Sequence, residues 1–180
     1  MKTELKAKFL QYILDKKQPE EGFTLIELML VILVMSILTA IALPSLVSQA
    51  KKAQQAEGKQ VVGGMNRAQQ LYFFENGAFA PHINNLAISI PEQTNIYQYQ
   101  VNNTVSDAVG NNGMARLRDL KSYLGSVVNV INSDNDSIAF ASFCESETAG
   151  IVTTSLPPAT TGTGVNFAPT CPSNYESLMK

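Results

Sequence analysis

From Phe23 to Leu43 the chain runs apolar for 21 residues, with one charge, Glu27, and past it only Ser36 and Thr39 as polar side chains. At ~1.5 Å per helical residue the run extends ~31 Å, about one bilayer core, and predicts a membrane-spanning helix. A carboxylate inside such a helix costs roughly 2.5–3.5 kcal/mol on insertion scales, so Glu27 is expected to have a function and a partner. Beyond Leu43 the helical pattern persists while the outer face turns polar. Leu46, Ala50, Ala53, Val61, Met65, Ala68, Leu71 and Tyr72 recur at helical spacing, with Gln, Lys and Glu between them. Pro44 is expected to kink or loosen this helix without ending it. Gly58, Gly63 and Gly64 each cost about 1 kcal/mol relative to Ala, so this half requires tertiary packing. Asn76-Gly77 supplies the stop. The predicted helix runs from about Thr24 to Glu75, ~78 Å, as a stalk ahead of a small head.

The remaining hundred or so residues suffice for one modest core. Ile96–Val101 is β-rich and predicts a strand, and Leu117, Leu120, Lys121 and Leu124 suggest a short helix over Met114–Leu124. Ser126–Ile131 and Ser137–Cys144 flank the turn-rich Asn132–Asp136 and predict a hairpin. Residues 153–164, rich in Thr, Pro and Gly, predict an exposed loop. Tyr72, Phe73, Phe74 and Phe79 are expected to pack the stalk onto the head. The fold class is α+β.

Charge orients the chain. Lys2, Lys6, Lys8, Lys16 and Lys17 precede the apolar run, against Glu4, Asp15, Glu20 and Glu21, which favours a cytoplasmic N-terminus. No small-residue cleavage site follows Leu43 closely, so this is not an ordinary secretory signal. Gly22 is the candidate cut, since glycine lets a protease approach the backbone closely. The apolar helix would survive that cut.

Residues 21–28, Glu-Gly-Phe-Thr-Leu-Ile-Glu-Leu, with the apolar run and Pro44 after them, closely resemble the class III signal of type IV prepilins. The resemblance implies cleavage between Gly22 and Phe23 by prepilin peptidase, methylation of Phe23, and use of Glu27, the fifth mature residue, in assembly. A processed Phe23 carries a positive α-amino group, with which Glu27 of a neighbouring subunit can pair. The likeness covers residues 21–80 well, and Leu120-Lys-Ser-Tyr-Leu-Gly125 is similar to cyanobacterial-type pilins. The leader is longer than many, and Ser36 stands where glycine is common. The organisation implied is a leader, 1–22, that is removed; a helix, 23–76, whose transmembrane half is 23–43; and an antiparallel-sheet head, 77–180. Cys144 and Cys171 lie in the part expected to leave the cytoplasm, where disulfides persist, with two buried thiols as the alternative. The family resemblance implies a C-terminal disulfide loop, 144–171.

The resemblance further implies a structural subunit of a type IV pilus, held in the inner membrane and then polymerised into an extracellular filament. Its partners would be prepilin peptidase, other pilin subunits and the pilus assembly machinery. The filament would serve motility, adhesion or DNA uptake. The competing readings are a type II secretion pseudopilin and a minor pilin gripping DNA or a surface.

No catalytic constellation is expected. His82 is the single histidine and follows the Ala80-Pro81 turn, and neither a nucleophile elbow nor a phosphate loop occurs. No cofactor or metal is expected either, since Asp134-Asn-Asp136 lacks the other ligands of a calcium loop. Arg116, Arg118 and Lys121 read as a solvated face. Removing residues 1–22 takes five lysines and four acids from 13 basic and 15 acidic residues, leaving a net charge of −3, which argues against a broad DNA-binding surface. Asn102-Asn-Thr104 and Asn135-Asp-Ser137 match the N-glycosylation sequon, and the Thr/Pro loop could carry O-linked sugar.

Overall fold

The computed structural model describes residues 7–12, 22–105, 107–131, 136–154, 156 and 170–178. Most of the 153–164 loop, the turn Asn132–Asp136 apart from Asp136, the Asn135 sequon asparagine and the leader apart from 7–12 and Gly22 lie outside the described residues. The chain divides into two compact units, Met1–Leu46 and Val47–Lys180.

In the first unit, residues 7–12 are helical and the long helix α1 (Leu25–Asn76) begins. Every side chain from Leu25 to Leu46 is exposed, and α1 is long and apolar enough to cross a membrane. The Ser36 hydroxyl donates to Ile32 O at 2.6 Å and the Thr39 hydroxyl to Met35 O at 2.7 Å. Both polar groups are thereby satisfied by the helix itself, as an apolar solvent demands. The helix runs through Pro44 and ends one residue beyond its predicted limit. Gly77 takes φ 68° and donates its N–H to Phe73 O at 2.8 Å, a left-handed cap.

The second unit is a five-stranded antiparallel meander packed on the C-terminal part of α1. Strands β1 (Tyr97–Val105), β2 (Ala108–Ala115), β3 (Tyr123–Ile131), β4 (Ser137–Ser146) and β5 (Tyr175–Ser177) lie side by side in chain order. Gly58, Val62, Met65, Asn66 and Gln69 of α1 are buried. Tyr97, Tyr99 and Tyr123 form the wall they meet, with Phe143 completing an aromatic row at centroid spacings near 6 Å. Glycines set the depth of contact. A Cβ on Gly58 would lie 2.8 Å from both Tyr97 and Tyr123, and one on Gly113 would lie 2.7 Å from Val62. A Cβ on Gly125 would occupy the space of the Asn66 amide, which donates to Ser142 O at 2.9 Å and accepts from Asn111 at 2.8 Å. Gln69 receives the Ala80 N–H and donates to the Ala80 carbonyl, stitching the chain after α1 back onto it.

The predicted hairpin Ser126–Ile131/Ser137–Cys144 is present in longer form as β3 and β4, paired from Tyr123↔Glu145 to Ile131↔Ser137. The predicted strand at Ile96 is β1. The predicted helix over Met114–Leu124 does not form. Met114 and Ala115 end β2, Tyr123 and Leu124 begin β3, and only Leu120 N→Leu117 O makes a turn between them. The Ser122 hydroxyl accepts the Ala115 N–H and the Ser146 hydroxyl accepts the Ser122 N–H, so the backbone bonds laterally to neighbouring strands. Leu120 and Leu124 are both buried, but on a loop and a strand, not on one helical face.

Phe74 also departs from expectation: it is 88% exposed, while Phe73 stacks on Phe79 at 4.7 Å and Tyr72 packs against the core. Strand β2, Ala-Val-Gly-Asn-Asn-Gly-Met-Ala, is buried along its whole length. Its asparagines serve opposite faces: Asn111 reaches Asn66, and Asn112 exchanges two hydrogen bonds with the Leu156 backbone. The C-terminal segment is thus held against the sheet, with Gly150 N→Leu120 O and Val152 N→Ala115 O adding to the hold.

Glu145 joins three elements. Its carboxylate meets Lys59 of α1 at 2.8 Å and Lys121 at 2.7 Å, and Lys59 sits 5.5 Å above the Tyr123 ring. Burial raises the Glu145 pKa, but the two lysines outweigh it and hold the group below the ordinary glutamate value. Lys121 is therefore an ion-pair partner and not part of a solvated basic cluster, and Arg116 donates to Thr94 O at 2.7 Å. Burial first, then the nearby Glu57 and Glu145 charges, push the Tyr97 hydroxyl pKa upward, so it stays protonated.

Gly125→Ala is expected to cost about 1–3 kcal/mol in urea unfolding by displacing the Asn66 amide. Gly64→Ala, where a Cβ meets nothing within 4 Å, is expected to stabilise by about 1 kcal/mol. Equal effects at the two sites would refute the close fit of the Asn66 amide over Gly125. A depressed carboxylate adds stability above its unfolded pKa, and that contribution fades as pH falls through its folded value. Glu145→Gln is therefore expected to cost about 1–3 kcal/mol at pH 7, with the gap to the unmodified chain closing below about pH 4. A gap that is constant down to pH 3 would exclude the carboxylate as its source.

Candidate processing and assembly site

Gly22, Phe23 and Thr24 precede the first helical residue in non-helical conformation. A Cβ on Gly22 would meet nothing within 4 Å, and Phe23 is 87% exposed. Among the described residues, nothing packs against Gly22. A reciprocal cap begins at the next residue. Thr24 N–H and the Thr24 hydroxyl both donate to Glu27 Oε2, at 2.9 and 2.8 Å, and Glu27 N–H donates to the Thr24 hydroxyl oxygen at 3.3 Å. Leu28 N–H closes the first turn on Thr24 O at 3.2 Å. Thr24 is thus the N-cap and Glu27 the third helical residue, the Thr-x-x-Glu arrangement known as a capping box.

This geometry does two things for a carboxylate in an apolar segment. Two donors replace the water that Glu27 would lose, and the positive end of the helix dipole lies beside it. Both Thr24 bonds fall on Oε2. The apolar pattern gives no hint of the role of Thr24, although the spacing Thr24-x-x-Glu27 just before a hydrophobic run carries the signal.

Cys144 and Cys171 form a disulfide, with 5.8 Å between their Cα atoms and 27 residues of separation. Cys144 lies in β4 opposite Ser177 of β5, so the covalent link and the short β5 ladder fasten the C-terminal segment at one place. A closed loop of about that length stabilises by ~3–4 kcal/mol in the chain-entropy account. His82 is exposed just before the 3₁₀ turn Ile83–Asn85. No group of three or more His, Cys, Asp or Glu residues suited to a metal occurs among the described residues.

Residues 55–172 match the family described as type IV pilin-like G and H, and residues 17–43 match the prokaryotic N-terminal methylation motif. Fimbrial protein EcpC of Eikenella corrodens is 38% identical over 98 residues, 54% of this chain and 61% of that protein. Type IV major pilin protein PilA of Myxococcus xanthus is 35% identical over 86 residues, covering 48% and 39% of the two chains. Type IV major pilin protein PilE1 of Neisseria gonorrhoeae is 33% identical over 90 residues, 50% and 42% of the two chains. The chain therefore spans about half the length of these curated relatives. No solved structure matches it.

Thr24→Val removes the hydroxyl that joins both halves of the cap. An N-cap contribution of about 1 kcal/mol makes amide exchange at Glu27 roughly fivefold faster in detergent micelles. Unchanged exchange would show that the cap does not hold the helix start.

Proposed function

The chain belongs to the type IV pilin-like G and H family, and from that premise we propose that it is the structural subunit of a type IV pilus. Prepilin peptidase cleaves the Gly22–Phe23 bond and methylates the new Phe23 amino group. The processed subunit then leaves the inner membrane to polymerise into an extracellular filament. The observation that carries this reading is the arrangement at the start of α1: Gly22 and an exposed Phe23, then a carboxylate held in an otherwise uncharged span by Thr24.

The mechanism follows from charge. Cleavage turns Phe23 N into a cationic amine at the membrane end of α1. Glu27, capped through Oε2, offers its second oxygen to the amine of a neighbouring subunit. Pairing removes two uncompensated charges from an apolar surrounding at once. The apolar span exchanges lipid contacts for helix contacts, so packing and this pair drive association more than net hydrophobic burial does. The disulfide keeps the C-terminal segment of the head in place after export.

Intact mass and N-terminal sequencing of material sheared from the cell surface test the reading. The expected product starts at methylated Phe23 and is two hydrogens lighter than the dithiol. Glu27→Ala is expected to be processed normally yet to yield few or no filaments, and Gly22→Leu to remain uncleaved. Abundant filaments from Glu27→Ala would sink the docking role, and normal maturation of Gly22→Leu would move the cut site.

A further inference from the structure

The leader reads as polar in bulk, yet its described residues 7–12 form a helix whose Phe9, Leu10 and Tyr12 are 65%, 60% and 65% exposed. At 3.6 residues per turn these three side chains fall within one arc of about 160°, with Lys8 and Gln11 outside it. Charge accompanies the apolar arc. Residues 1–17 carry Lys2, Lys6, Lys8, Lys16 and Lys17 against Glu4 and Asp15. The membrane is also close at hand: Phe23, where the span begins, follows Tyr12 by 11 residues, so the segment stays within about 40 Å of the bilayer edge even on a fully extended tether.

We propose that residues 7–12 are a membrane-surface anchor, in which Phe9, Leu10 and Tyr12 seat at the headgroup boundary of an anionic leaflet and Lys8 pairs with lipid phosphate. Aromatic rings settle at that boundary because one part of them is apolar and the other tolerates water. Lysine stems lie along apolar surface while their ammonium groups reach the phosphates. An anionic leaflet attracts each lysine near its surface, and salt weakens that attraction. The inference rests on the reading above, in which the leader remains cytoplasmic and α1 spans the bilayer. Its consequence is positional. With one contact at residues 7–12 and another at Phe23, the Gly22–Phe23 bond is presented at the membrane surface, where a membrane-embedded peptidase can take it.

The chain has no tryptophan, so Phe9→Trp and, separately, Val34→Trp each introduce a single fluorescent reporter into the full uncleaved chain. Both are reconstituted into vesicles of phosphatidylcholine alone or mixed with phosphatidylglycerol. In phosphatidylglycerol vesicles the reporter at position 9 is expected to shift to the blue and to be quenched by lipids brominated near the headgroup. Adding Lys8→Gln is expected to lower its bound-to-free ratio about fivefold. The reporter at position 34 is expected to be quenched by lipids brominated deep in the chains in both vesicles. A water-like reporter at position 9 beside a quenched one at position 34 overturns the anchor and leaves the span intact. Equal quenching at position 9 with and without phosphatidylglycerol overturns the pairing of Lys8 with phosphate. An unquenched reporter at position 34 overturns the membrane-spanning reading itself, and with it the anchor.

Discussion

The seating of residues 58–69 of α1 against the sheet decides where every other element of the second unit can go. Three glycines bring the surfaces together: Gly58 beneath the rings of Tyr97 and Tyr123, Gly113 beneath Val62, and Gly125 beneath Asn66. Close approach strengthens dispersion across the interface but takes water away from every polar group in it. The buried amides answer that cost. Asn66 bonds to β2 and to β4 at once, and Gln69 satisfies both backbone groups of Ala80. Apolar contact supplies the attraction, and the amides select one axial register of helix on sheet, since a one-residue slide would strand them unpaired.

The same helix meets an opposite requirement at its start. There its side chains are exposed among the described residues, and Ser36 and Thr39 bond to preceding carbonyls while Thr24 bonds to Glu27. One continuous α1 thus carries two solutions to the loss of water, internal bonding in the first unit and helix-to-sheet bonding in the second. Glu27 is the one charged side chain between Phe23 and Leu43, and Thr24 donates two hydrogen bonds to it.

Away from α1 the head depends on lateral ties more than on strand propensity. Strand β2 carries two glycines and two asparagines, weak β-formers, yet is buried throughout because β1 and β3 pair with both its edges. On its face away from α1, Asn112 grips the Leu156 backbone, and the Cys144–Cys171 disulfide fixes the segment farther on. Glu145 adds an ionic tie among α1, the loop before β3 and β4.

The sequence by itself determined α1, its apolar first half, the methylation motif around Gly22 with its isolated Glu27, and the β3–β4 hairpin. Each is written in local periodicity or in a run of adjacent residues, and none needs a distant partner to be recognised. What only the tertiary structure decided is of the other kind. Strand β2 has no alternation to read because both its faces are buried. Leu117, Leu120 and Leu124 imitate helical spacing, but the hydroxyls of Ser122 and Ser146 bond the backbone sideways into the sheet. Phe73 and Phe74 are indistinguishable in composition, and a rotation of one residue about α1 places one on Phe79 and the other in solvent. Local pattern states what a segment can form. Which face it buries, and against what, is decided by partners far away in the chain.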